Sequence, residues 1–75
     1  MKALAENETA LLHRIRSMTG RSNIEGLAEY LLTPQDREMA IRLCRRSVLK
    51  SHRWRGVRWF QCGRRASEAL LAASA

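Results

Sequence analysis

The first readable rhythm in the chain is helical. From Ala3 to Met18 the apolar positions Leu4, Leu11, Leu12, Ile15 and Met18 fall on one face at helical spacing. Glu6 and Glu8 stand early while His13, Arg14 and Arg16 stand late, the charge order a helix dipole favours. Thr19-Gly20 supplies a stop, because glycine takes the left-handed cap position without strain. Ser22-Asn23-Ile24-Glu25 then has the form of a capping box. Ile24, Leu27, Ala28, Leu31 and Leu32 follow it at i, i+3, i+4, i+7 and i+8, which predicts a second, short helix weakened by Gly26. Thr33-Pro34-Gln35-Asp36 opens a third helix, with a hydroxyl cap, proline at the first helical position and a carboxylate at the third. That helix is expected to run to about residue 53. Ala40, Leu43, Cys44, Ser47 and Val48 make its inward stripe, and Arg42, Arg45, Arg46, Lys50 and Arg53 a separate outward one.

Gly56 breaks the third pattern. The run VRWFQC after it alternates like a strand and also continues a helix. A lone strand has no partner in an otherwise helical chain, so the pattern favours a fourth helix, extended by Ala66, Ala69, Leu70 and Ala73. The expected fold is all-α: one domain over residues 1–75, a compact bundle of three to four short helices with helix-turn-helix-like proportions. A chain of 75 residues sits near the lower limit for folding on its own core. Homodimerisation is therefore expected, through the Leu4, Leu11, Ile15 and Met18 face or the C-terminal helix.

Charge changes the picture more than composition does. Residues 37–65 hold ten of the fourteen basic residues against a single acid, Glu38, together with Trp54, Trp59 and the only phenylalanine, Phe60. A net charge of +7 with this clustering points to an anionic partner: nucleic acid, an acidic protein patch or an anionic membrane surface. The N-terminus lacks the apolar core of a secretory signal, and the longest apolar run, Ala69 to Ala73, is far short of a membrane span. A cytoplasmic protein of a bacterial host cell, with Cys44 and Cys62 as free thiols, is the expectation.

Catalytic and metal chemistry find little support. Glu6 and Glu8, like Asp36 and Glu38, lie two apart and diverge on a helix. His13 and His52 have no adjacent acid or nucleophile. Cys44, His52 and Cys62 match no zinc spacing. The expectation is a protein that is not an enzyme and needs no metal or cofactor.

A helix-turn-helix can be drawn across Thr19–Ser22, but Arg16 stands where a small residue belongs, and the reading helix would carry Glu25 and Glu29. Arginine and tryptophan are the residues most enriched in interface hot spots. The partner-binding set read from the sequence is Arg42, Arg45, Arg46, Lys50, Arg53, Trp54, Arg55, Arg58 and Trp59. The leading expectation is a small regulator that inhibits a bacterial host protein, such as a transcriptional activator, through this surface. The alternative is a DNA-binding transcription regulator using the same basic helix.

Residues 16–60, RSMTGRSNIEGLAEYLLTPQDREMAIRLCRRSVLKSHRWRGVRWF, resemble in size, helical layout and Arg/Trp-rich second half the small all-helical host-takeover proteins of temperate bacteriophages. The plan is similar to that of quorum-sensing anti-activators. That resemblance implies an all-helical protein that binds and blocks a host transcription factor, and it assigns no role to any single residue.

Overall fold

The computed structural model describes residues 4–18 and 26–74. The Thr19-Gly20 stop and the Ser22–Glu25 capping box lie outside the described residues. Among the described residues the architecture is α+β, not all-α: three helices pack with a three-stranded antiparallel sheet. In chain order these are α1 (Glu6–Met18), β1 (Leu27–Ala28), a 3-10 turn (Glu29–Leu31), α2 (Pro34–Arg45), β2 (Leu49–Trp54), β3 (Val57–Cys62) and α3 (Ala66–Ser74). The strand order is β1-β3-β2, so β3 is central and β2 is an outer edge.

Of the expected helices, α2 starts where the sequence places it, and α1 starts at Glu6, three residues after the expected start. The Ala5 backbone N–H donates to Glu8 Oε1 at 2.9 Å, a reach-back bond on the first turn of α1. At α2 the Asp36 N–H donates to Thr33 Oγ1 at 3.1 Å, and Pro34 occupies the first turn.

The second expected helix does not form among the described residues. Gly26 has φ 142°, a conformation closed to other residues, and the chain leaves it extended. Leu27 and Ala28 then pair with Phe60 and Trp59 on β3. The helical spacing of Leu27, Ala28, Leu31 and Leu32 is coincidental: the first two are buried, whereas Leu31 is exposed.

The third helix stops at Arg45, well short of residue 53. Ser47 takes a left-handed conformation, φ 62°. Its N–H donates to the Cys44 carbonyl at 3.0 Å, and the Val48 N–H donates to the Leu43 carbonyl at 2.9 Å. This is a Schellman cap, closed by the apolar pair Leu43 and Val48, both fully buried. Serine at the position that glycine usually takes hid it from the sequence. Replacing Ser47 with glycine should relieve the left-handed strain and, after glycine's larger chain entropy, stabilise the fold by about 0.5–1 kcal/mol. Urea denaturation reads this as an upward shift of the midpoint at unchanged slope.

The cap turns the chain into β2, and β2 is the partner that VRWFQC appeared to lack. Arg55 and Gly56 form a two-residue loop with φ 53° and 77°, the signature of a type I′ turn. Leu49 pairs with Cys62 and Trp54 with Val57, so the ribbon is in register along its whole length. Only the C-terminal part of the expected fourth helix is helical, as α3.

The core draws on Leu11, Leu12 and Ile15 of α1, Ala40 and Leu43 of α2, and Phe60 of β3. Leu4, Leu11 and Ile15, expected to face a second copy, are 8%, 2% and 0% exposed inside their own chain, and Met18 packs against the same core. That face is already covered, because the sheet gives α1 an internal partner. Phe60, rather than either tryptophan, is the core aromatic.

Candidate functional site

The basic residues expected to form one ridge along a single helix are divided between α2 and the β2–β3 ribbon. Arg42 and Arg45 stay on α2, both exposed, around a shallow hollow with Glu38 and Ile41. Arg46 caps the helix with its backbone N–H. Lys50 and Arg53 lie on β2, Arg55 in the turn, and Arg58 on β3.

The two faces of the ribbon differ in kind. Strand alternation puts Leu49, Ser51 and Arg53 on one face, with Arg58, Phe60 and Cys62 opposite them. Near the base this face covers the core; at the tip it overhangs the 3-10 turn and the start of α2. The other face carries Lys50, His52 and Trp54, paired with Gln61, Trp59 and Val57. Every β2 residue from Lys50 to Trp54 is exposed. The Trp54 and Trp59 rings meet edge to face, centroids 6.2 Å apart, and the Arg55 guanidinium sits 4.7 Å above the Trp54 ring. Trp54 remains 49% exposed. The turn thus presents a braced aromatic ring flanked by cations.

Carboxylates neutralise few of these arginines. Glu29 stands between Arg58 (Oε2 to Nε, 3.2 Å) and Arg37 (Oε1 to Nη1, 3.9 Å), and Asp36 pairs with Arg14 at 3.2 Å. These pairs are partly exposed, so each adds little stability. Among the described residues no carboxylate pairs with Arg42, Arg45, Lys50, Arg53 or Arg55. Arg53 and Arg58 are directly opposed in register, a destabilising like-charge pairing that Glu29 offsets from the Arg58 side. Sequence reasoning missed Glu29, Tyr30 and Arg37, which line a hollow with Arg53 and Arg58 at the ribbon tip. They come from a different part of the chain, and no spacing rule joins them to the hairpin.

Cys44 and Cys62 are free and half-buried. Burial pushes the Cys44 thiol up, partly offset by a hydrogen bond with Ser51 and the field of Arg58. Burial likewise raises Cys62, with Arg16 opposing it. Both therefore stay protonated near neutral pH, the opposite of what a nucleophilic thiol requires. Among the described residues no group of three His, Cys, Asp or Glu side chains is placed to hold a metal ion, and no helix is long and apolar enough to cross a membrane.

No protein-family model matches the chain, and no curated protein or solved structure shows significant similarity to it. The geometry alone therefore argues for function. The likeness to phage anti-activators loses its helical layout to the hairpin; size and the Arg/Trp-rich second half remain.

Proposed function

We propose that this protein is a non-enzymatic regulator that binds nucleic acid through the β2–β3 ribbon. The observation that carries the reading is the exposed edge ribbon whose cations Lys50, Arg53 and Arg55 have no carboxylate partner among the described residues. A two-stranded ribbon has the width the DNA major groove admits. Lys50, Arg53 and Arg55 meet phosphates, Trp54 offers a ring to bases or sugars, and Arg42 and Arg45 on α2 meet phosphates flanking the ribbon.

Five phosphate contacts imply a log–log salt slope of about −4.5, or roughly a 500-fold loss of affinity between 50 and 200 mM salt. Fluorescence anisotropy with a labelled oligonucleotide measures it. The double variant Lys50→Gln/Arg55→Gln should make that slope shallower by about 1.8, with an unchanged circular dichroism spectrum. Absence of binding at 50 mM salt, or a slope near zero, would overturn the reading.

A second reading has its own observation. Tyr30, Leu31 and Trp54 are 71%, 54% and 49% exposed, and a basic patch with large exposed apolar groups also suits an acidic surface on a host protein that the chain would block. Capture from nuclease-treated bacterial lysate separates the two. A stoichiometric protein partner retained at 200 mM salt favours inhibition of a protein, and recovery of nucleic acid before nuclease treatment alone favours the ribbon reading.

A further inference from the structure

The hollow at the ribbon tip, about 440 Å³ and open to solvent, gathers more positive charge than its own acid neutralises. Arg37 comes from the first turns of α2, while Arg53 and Arg58 come from directly opposed positions on β2 and β3. Glu29 is the one carboxylate lining it, shared between Arg37 and Arg58. Its Oε2 is buried and receives no hydrogen bond, because the Arg58 Nε, although 3.2 Å away, lacks the alignment of one. That oxygen is thus held by charge alone. Arg53 has no carboxylate partner among the described residues.

We infer that this hollow receives the terminal phosphomonoester of a nucleic-acid strand. Three guanidinium groups against one carboxylate leave an excess of two charges. An internal phosphodiester carries one negative charge, whereas a phosphomonoester approaches two near neutral pH and presents three acceptor oxygens. Guanidinium forks match that group bidentately. Tyr30 lies on the rim, 71% exposed, placed to stack on the terminal base. The inference rests on the nucleic-acid reading and deepens it: Lys50 and Arg55 hold the body of the strand, and Arg53, on the other face of the ribbon, meets the phosphate at its end.

The test compares short oligonucleotide duplexes of one sequence ending in a 5′-phosphate, a 3′-phosphate or hydroxyls only, by anisotropy at fixed salt. One phosphorylated end should bind about tenfold more tightly than the hydroxyl form, the effect of one charge-assisted contact. The Arg53→Gln variant should erase that difference, whereas Lys50→Gln/Arg55→Gln should weaken all three oligonucleotides alike. Equal affinity for all three in the parent protein would overturn the inference and leave the nucleic-acid reading standing. A parallel titration with inorganic phosphate, followed on the arginine Nε–H signals by NMR, covers the remaining case. Shifts at Arg53 and Arg58 in a protein that binds none of the oligonucleotides would refute both the nucleic-acid reading and the strand-end assignment. Their absence, with oligonucleotides bound, would refute the hollow alone.

Discussion

Replacing Phe60 with alanine is expected to remove about 3–5 kcal/mol of stability. The whole fold, at 75 residues, has only about 4–11 kcal/mol to lose. Phe60 is fully buried on the central strand and lies between Leu27 of β1 and Ser51 of β2 in register. It is the one aromatic ring in an otherwise aliphatic core, so no neighbour has the volume to fill its space. A thermal melt followed by circular dichroism should show Phe60→Ala largely unfolded or melting far below the parent. Phe60→Leu, which refills most of the space, should stay folded. A Phe60→Ala melt within a few degrees of the parent would mean the sheet does not close over this ring.

Gly26→Ala is expected to cost about 3 kcal/mol or more, through the backbone rather than through packing. At φ 142° an added Cβ is strained whatever the space, and here it would also run into the Phe60 carbonyl oxygen. That carbonyl belongs to the strand to which Leu27 and Ala28 pair, so the clash falls on the attachment of β1. Hydrogen exchange should show it as early loss of protection at Leu27, Ala28 and their partners on β3, while the α2 amides lose protection only with global unfolding. The same substitution at Gly56, where an added Cβ meets nothing, should act through its positive φ alone and cost less.

The start of α2 was legible in the sequence because its signals are local. Thr33, Pro34 and Asp36 act within one turn, and the cap they predict is present. The sheet was not legible, for three separable reasons. First, β2 is exposed at every position from Lys50 to Trp54, so both of its faces read as polar and no period of two appears. Second, Arg42, Arg46, Lys50 and Arg53 happen to recur near helical spacing and so extend the α2 pattern through a turn that the structure places at Ser47. Third, the loop is Arg55-Gly56 rather than Asn-Gly, with glycine at only one of its two positive-φ positions. Two runs separated by just two residues, the second glycine, were the available signal for the hairpin.

Part of the candidate site was named from the sequence, on the wrong support. Arg53, Trp54, Arg55 and Arg58 do lie close together, but on a ribbon instead of a helix. Glu29, which holds Arg37 and Arg58, came from a stretch expected to be helical and carried no mark of that role.

Among the described residues, the outer side of β2 leaves a row of main-chain donors and acceptors without a neighbouring strand. Such a border ordinarily invites identical molecules to add themselves one after another into fibrils. Here each newcomer would have to bring its own Lys50 and Arg53 up against those of the strand it joins, and like charges facing each other across a ladder oppose that addition.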